Sequence, residues 1–180
     1  MNDSLPYPTG SNKEEIHIDK NGVKKYYNEN GDLSREGDLP AVIHPDGTVE
    51  YWINDMLHRE GDLPAIDGPK LKIYAKLNKN HRDGDQPAVY REDGTIEYWF
   101  NGQPPRDNDQ PAVIKSDGEL QFWFNGQPHR DGDEPAIIRA DGSIEYRFNG
   151  PLHRDNGKPA VIHADGTEEW WIDGERQKTG

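Results

Sequence analysis

The sequence predicts an all-β fold: an elongated, single-layer antiparallel sheet of tandem β-hairpin repeats, each about 24 residues long. Three observations predict it. A proline–alanine pair recurs at intervals of 24, 23, 24, 24 and 24 residues, Asp-Gly recurs in phase with it, and a strand-like alternation follows each Asp-Gly. The pairs are Pro40-Ala41, Pro64-Ala65, Pro87-Ala88, Pro111-Ala112, Pro135-Ala136 and Pro159-Ala160.

Each unit is expected to hold two strands. The first is short and apolar, as in Pro111 to Ile114, and its proline suits the first residue of a strand because it lacks a backbone donor. An Asp-Gly turn follows, and the second strand runs as in Thr95 to Phe100. Asn-Gly pairs such as Asn101-Gly102 then close one unit into the next.

Alternation along the second strand predicts two faces. One face is a core ladder, with members such as Ile96/Tyr98/Phe100, Leu120/Phe122/Phe124 and Ile144/Tyr146/Phe148. The opposite face places an acid or amide beside a tryptophan in most units, as in Glu50/Trp52, Glu97/Trp99, Gln121/Trp123 and Glu169/Trp171.

The repeat array is expected to span residues 13–176, between an N-terminal tail (1–12) and a C-terminal tail (177–180). Residues 16–31 form a degenerate first unit. The unit at residues 62–82 is one residue short, and its Asp67-Gly68 comes early. A bulge or a register shift that bends the array is expected there.

Composition narrows the classes of function. The net charge of -13 disfavours direct binding to nucleic acid or anionic membranes and favours a basic protein partner. The absence of cysteine excludes disulfides, thiolate metal ligands and cysteine nucleophiles. Residues 1–9 lack a signal-peptide pattern, and no segment approaches a membrane span, which predicts a cytoplasmic protein, in the host cytoplasm if the source is viral.

An arginine stands five residues before each proline of the proline–alanine pairs, and acids follow it. One interpretation is a ladder of inter-repeat salt bridges and Asx turns; the other is an acidic rim, including Asp85, Asp109 and Asp133, that docks cationic side chains of a partner. The loops lack the glutamate of a calcium-binding EF-hand, and the recurring histidines are too far apart for a zinc site. No catalytic residue, metal or cofactor is therefore predicted.

The tryptophan column is the strongest indication of function in the sequence. Either sheet twist or dimerisation buries this face, or the face is open and binds a partner through aromatic anchors. The candidate partner-binding residues are Trp52, Trp99, Trp123, Trp171, Glu50, Glu97, Asp85, Asp109 and Asp133.

The run from Asp93 to Pro104, D-G-T-I-E-Y-W-F-N-G-Q-P, resembles a MORN repeat, and His-Arg pairs such as His129-Arg130 fall where that family has His-Gly. The resemblance extends from about Asn21 to Gly174. It implies a scaffold or binding surface made of hairpins. Variant repeats of this kind are similar to those of bacterial antitoxin-type proteins and of proteins from large viruses and phages, which implies stoichiometric binding.

Three functions remain open from the sequence. The first is a non-catalytic binding protein that inhibits or neutralises a basic partner, of the antitoxin, immunity or phage anti-defence type. The second is a nucleic-acid mimic that occupies the basic groove of a nuclease. The third is a structural component of a virion or other assembly; in each case exposed edge strands would allow a homodimer.

Overall fold

The computed structural model describes residues 15–104 and 110–177. The chain divides into two compact units, Met1–Lys79 and Asn80–Gly180. The tail expected at residues 1–12 lies outside the described residues, as do residues 178–180 of the tail expected at 177–180. Within the described part the protein consists of β-strands and turns, without a helix, so it has no helix that could cross a membrane.

The first unit contains a main antiparallel sheet in which neighbours in the chain are largely neighbours in the sheet. Its strands are β1 (Glu15–Ile18), β2 (Lys24–Tyr27), β3 (Val42–Ile43), β4 (Val49–Glu50), β5 (Trp52–Ile53), β6 (Met56–Leu57), β7 (Ile66–Asp67), β8 (Leu71–Ile73) and β9 (Ala75–Lys76). The main sheet has the order β1-β2-β3-β4-β7-β8, and β5 pairs only with β6. The next strand, β10 (Lys79–Asn80), includes the last residue of this unit and the first of the following one.

The second unit repeats this arrangement. Its strands are β11 (Val89–Arg91), β12 (Ile96–Glu97), β13 (Val113–Ile114), β14 (Leu120–Gln121), β15 (Trp123–Phe124), β16 (Gln127–Pro128), β17 (Ile137–Ile138), β18 (Ile144–Glu145), β19 (Val161–Ile162), β20 (Glu168–Glu169), β21 (Trp171–Ile172) and β22 (Glu175–Arg176). The main sheet has the order β11-β12-β13-β14-β17-β18-β19-β20, with β15–β16 and β21–β22 as small separate hairpins. The predicted all-β class and the antiparallel hairpin array are confirmed.

The Asp-Gly turns that close the main hairpins share one hydrogen-bond pattern. At the first of them, Asp46 accepts the backbone N–H of Thr48 at 2.8 Å, and the N–H of His44 donates to the carbonyl of Thr48 at 2.9 Å. Gly47 has φ +90°, a left-handed conformation that glycine adopts without a steric penalty. The turn residues therefore fix the register Ile43↔Val49.

The second strand of each repeat is interrupted, which corrects the predicted core ladder. Leu120 and Gln121 pair in the main sheet, whereas Trp123 and Phe124 turn back through Asn125-Gly126 and pair with Pro128 and Gln127. The period-two alternation does not continue through the break. As a result Phe100, Phe124 and Phe148, which the pattern assigned to the core, are between 43% and 51% exposed.

Buried alanines lie at the centre of the core in each unit. These residues are no more than 1% exposed: Ala41, Ala65, Ala88, Ala112, Ala136 and Ala160. Each lies directly after the proline, and its backbone extends the ladder, as where Tyr146 donates to Ala160 at 2.7 Å and Ala160 donates to Glu169 at 2.8 Å. Because neighbouring strands are packed on this position, only a methyl side chain is present in every repeat.

The short unit absorbs its missing residue in the turn, without the bulge or register shift expected there. Asp67 pairs with Lys72 and Ile66 with Ile73, and the N–H of Gly68 donates to the carbonyl of Leu71 at 3.0 Å. Pro69 and Lys70 thus form a two-residue turn where regular units have three residues between the closing pair. Shortening a turn leaves the ladder intact, whereas a bulge would unpair a residue within it.

Candidate functional site

The four tryptophans of the predicted column lie at equivalent positions, each after the break in the second strand, and all are half-buried. Their indole N–H groups donate to the side chain two residues earlier. The bonds are Trp52 to Glu50 at 2.8 Å, Trp99 to Glu97 at 2.9 Å, Trp123 to Gln121 at 3.1 Å and Trp171 to Glu169 at 2.9 Å. The acid or amide and the tryptophan that were predicted to be neighbours are therefore hydrogen-bonded to each other in these four repeats.

The second oxygen of these carboxylates holds a basic group from the facing strand. Glu50 contacts His44 at 2.7 Å, and Glu97 accepts from Arg91 at 2.7 Å. In the last repeat, hydrogen bonds from His163 and Trp171 lower the pKa of the Glu169 carboxyl. Glu50 and Glu97 thus tie the two strands of a hairpin to the tryptophan, and both carboxylate oxygens are occupied within the chain.

One repeat has arginine in place of tryptophan. Arg147 donates through Nε to Glu145 at 2.8 Å and through Nη1 to the carbonyl of Gly150 at 2.8 Å, and Arg139 pairs with the other oxygen of Glu145. Arg147 thus takes the place of the indole as the donor to the side chain two residues earlier. The tryptophan column is accordingly a structural tie in these repeats.

Of the three loop acids predicted to bind a partner, Asp133 has its contacts to cationic side chains shown in full. Asp133 accepts from Arg154 at 2.6 and 3.2 Å and from Lys158 at 2.5 Å, and these bonds hold the pKa of its carboxyl well below the ordinary range. Asp85 adopts the left-handed conformation with φ +54°, as Asp133 does with φ +58°. Asp109 lies in residues 105–109, outside the described part of the chain.

The arginine five residues before the proline makes the same contacts in two of the described repeats. Arg154 stacks on the ring of Tyr146 at 3.5 Å and donates to the carbonyl of Pro159 at 3.2 Å, in addition to binding Asp133 of the preceding repeat. In the first unit, Arg59 and Tyr51 stack at 3.6 Å in the same way. Arg59 and Arg154 therefore join successive repeats through a stack, a carbonyl bond and a salt bridge, as one interpretation of the sequence expected for this position.

A different row of side chains in the second unit exposes its phenylalanines and aspartates to solvent, although the pattern had assigned the phenylalanines to the core. This Phe–His–Asp row consists of Phe100, Phe124, Phe148, His81, His129, His153, Asp83, Asp131 and Asp155. The ring centroids of Phe124 and His129 are 5.5 Å apart, those of His129 and Phe148 are 5.0 Å apart, and those of Phe148 and His153 are 5.8 Å apart. Four rings thus form one continuous column.

The histidines fix the row to the fold. Nδ1 of His129 accepts the backbone N–H of Asn149 at 3.1 Å, and Nε2 lies 3.0 Å from the carboxylate of Asp131. The ring is therefore held in the tautomer that carries its proton on Nε2. His129 is buried, whereas the Asp131 side chain is 62% exposed and its counterparts Asp83 and Asp155 are 69% and 79% exposed.

A signal for this row was present in the sequence. Asn-Gly follows each phenylalanine directly, at Asn101, Asn125 and Asn149, and these asparagines have φ between 48° and 52°. A two-residue turn of this kind must pair the residues on either side of it, so Phe124 pairs with Gln127 and leaves the main sheet. The turn therefore competes with the six-residue strand that the alternation predicted.

Within residues 15–104 and 110–177, no three histidine, aspartate or glutamate side chains are grouped in a way that could hold a metal ion. No protein-family model matches this chain, and comparison with curated protein sequences finds no match.

Proposed function

We propose that this chain is a non-catalytic, acidic repeat protein that binds a basic protein partner stoichiometrically and thereby inhibits or neutralises it. The resemblance to MORN-variant repeats supports a role of the antitoxin, immunity or phage anti-defence type, exercised in the cytoplasm. A divergent MORN-like repeat would supply the scaffold, and the binding surface would lie on it.

The Phe–His–Asp row is the observation that carries this proposal. Three phenylalanines, each between 43% and 51% exposed, lie at the same position of successive repeats. The aspartates beside them are 62% to 79% exposed. Exposed aromatic side chains are common anchors of protein interfaces, and carboxylates at their edge attract a partner of opposite charge. The net charge of -13 acts in the same direction over a longer range.

The recurrence of the Trp–Glu and Arg–Asp contacts is accounted for within the chain, and this narrows where the partner binds. The carboxylate of Glu97 accepts hydrogen bonds from Arg91 and Trp99. The carboxylate of Asp133 accepts hydrogen bonds from Arg154 and Lys158. Releasing them for a partner would break contacts that hold the repeats together. The proposed surface therefore uses the Phe–His–Asp row, whose phenylalanines already face solvent.

The test is a tagged pull-down from native host lysate, with and without nuclease, followed by native mass spectrometry of the complex. We expect one basic protein at near-equal stoichiometry with the wild type. Asp131→Asn with Asp155→Asn should weaken its capture. The matched control is Asp141→Asn with Asp165→Asn, which changes the net charge equally in the Asp-Gly turns at the opposite end of the hairpins.

Equal loss in both double variants would show that only total charge matters, and equal retention in both would remove the acids from the interface. If the wild type captures no basic protein, or only copies of itself and particle proteins, stoichiometric neutralisation is wrong. A structural role in an assembly then becomes the better proposal.

A nucleic-acid mimic is the second candidate, and the regular placement of exposed acids favours it. Asp131 and Asp155 present one carboxylate per repeat at the same loop position. A mimic would occupy the groove that binds nucleic acid. Its partner should therefore fail to bind DNA or RNA in the complex, and the affinity should fall steeply with salt. A partner that binds nucleic acid equally well in the complex would contradict mimicry and leave the first proposal standing.

A further inference from the structure

We infer that the Phe–His–Asp row binds a basic segment in the polyproline II conformation, with an apolar side chain at every third residue. This inference rests on the proposed function and names the chemistry of the partner segment. It follows from the spacing of the phenylalanines, the character of the side chains between them and the charge beside them.

The phenylalanine rings of the row recur at a regular distance. The ring centroid of His129 lies 5.5 Å from that of Phe124 and 5.0 Å from that of Phe148. The centroids of the two phenylalanine rings are therefore at most about 10.5 Å apart. The strands β14 and β18, which precede these residues, are two positions apart in the sheet with β17 between them. Two strand spacings correspond to roughly 9.6 Å, so apolar contacts are offered about every 10 Å.

Only some backbone conformations place equivalent side chains at that interval on one side. Polyproline II has three residues per turn and rises about 3.1 Å per residue, so every third side chain faces the same way about every 9.3 Å. A β-strand covers three residues in a similar length, but residues i and i+3 point to opposite faces. An α-helix needs about seven residues for the same distance, and its contact face rotates by about 20° per heptad.

The row also has the chemistry that such segments recognise. Polyproline II ligands dock on aromatic side chains, since their backbone makes no internal hydrogen bonds and their conformation is already set. Phe124 and Phe148 are 45% and 51% exposed, and the ring of His129 contacts both of them. The last repeat continues the apolar position with Ile172, which is 38% exposed.

Charge defines the remaining positions of the segment. Asp131 and Asp155 stand beside His129 and His153, one carboxylate for each ring step along the row. A lysine or arginine next to each apolar residue of the segment would reach one carboxylate per turn. The segment is thus a repeat of an apolar residue, a backbone-stiffening residue and a basic residue.

The probe is a fluorescently labelled peptide of four Leu-Pro-Lys triplets, titrated with the full chain and followed by anisotropy. A peptide of the same composition with its leucines adjacent is the control for spacing, and a peptide with leucine at every seventh position in a helix-forming background tests the α-helix. We expect the triplet peptide to bind at least ten-fold more tightly than either. Equal binding of the permuted peptide, or tighter binding of the helical one, would overturn the inference.

Variants locate the contact. Phe124→Ala with Phe148→Ala should weaken the triplet peptide at least ten-fold, and Phe124→Leu with Phe148→Leu, which keeps apolar surface and tests for misfolding, should weaken it less than three-fold. Trp123→Phe is the matched aromatic control and should leave binding unchanged. Unchanged binding by the alanine variant would refute the site.

The two proposals fail separately. If the lysate partner binds the wild type and the Phe124→Ala, Phe148→Ala variant equally well, this inference is wrong while stoichiometric binding of a basic protein stands. If the wild type captures no basic protein but binds the triplet peptide in the expected order, the proposed function is wrong and the specificity of the row stands.

Discussion

Arg59→Ala removes several interactions of one side chain, and the structure ranks them. The guanidinium stacks on Tyr51 at 3.6 Å, donates to the carbonyl of Pro64 at 3.2 Å and binds both carboxylate oxygens of Asp38 at 2.8 and 3.0 Å. The stack contributes about 0.5–1 kcal/mol and the bond from a charged donor about 1.5–3 kcal/mol. Because Asp38 is 52% exposed, its ion pair contributes less than about 1 kcal/mol.

Loss of the stack and the carbonyl bond alone should lower the local free energy of unfolding by about 2–4 kcal/mol in Arg59→Ala. Arg59→Lys keeps the charge but loses the planar group that stacks and donates in two directions, so it should lose most of the same stability. Asp38→Asn should cost less than about 1 kcal/mol, because asparagine tolerates its φ of +54° and retains an acceptor oxygen.

Hydrogen exchange is the appropriate assay, since the stability of a repeat array is local. The amides of Tyr51 and Ala65, which donate to the carbonyls of Ala65 and Ile73, report on the repeat held by Arg59. In Arg59→Ala they should exchange roughly 30-fold to several-hundred-fold faster, at ten-fold per 1.4 kcal/mol, and the amide of Phe122 in the second unit serves as the reference. If Asp38→Asn accelerates exchange as much as Arg59→Ala, the ranking of stack and carbonyl bond above the ion pair is wrong.

Two further predictions concern the core and the turns. Ala136→Leu should destabilise the protein by about 1–3 kcal/mol, because Ala136 is fully buried; urea unfolding followed by tryptophan fluorescence measures this. Ala164→Leu, at an exposed position, is the control and should change the stability little. Equal effects of the two substitutions would contradict tight packing around the buried alanines. The backbone N–H of Thr167 lowers the pKa of the Asp165 carboxyl, so the unfolded chain binds the proton first and stability falls as pH drops below the ordinary aspartate value, about 4. Denaturation at pH 5 and pH 3 should show less acid sensitivity in Asp165→Asn than in the wild type, and an unchanged pH dependence would contradict this.

The hairpin array could be predicted from the sequence because its turns are encoded locally. Asp46-Gly47 and its counterparts fix the main hairpins, and Arg154 lies one repeat away from Asp133, so the 24-residue period alone suggests their pairing. The alternation of Leu120, Phe122 and Phe124 misplaced Phe124 because a period of two does not report where a strand ends. The end of the strand is decided by competition between pairing in the main ladder and formation of the Asn-Gly turn, and the sequence favours both.

The candidate site was harder to predict, for a physical reason. Glu97 and Trp99 were expected side by side and are hydrogen-bonded to each other, but the role of Glu97 depends on Arg91, six residues earlier on the facing strand. Once the hairpin forms, the cation and the indole together saturate the carboxylate. The recurrence of such a pair in several repeats then follows from hairpin stability and needs no partner.

This distinction separates structural from functional recurrence in the array. A repeated residue whose polar groups are bonded within the chain, such as Arg154 or Trp99, is explained by the fold that it stabilises. A repeated apolar side chain that remains about half exposed has no such explanation, since burial would be more favourable than exposure at each repeat. Phe124 and Phe148 meet that criterion, although each is partly covered by a histidine ring. A partner that covers these rings would remove the cost of exposure several times along one surface, which gives a repeat protein affinity that no single hairpin could supply.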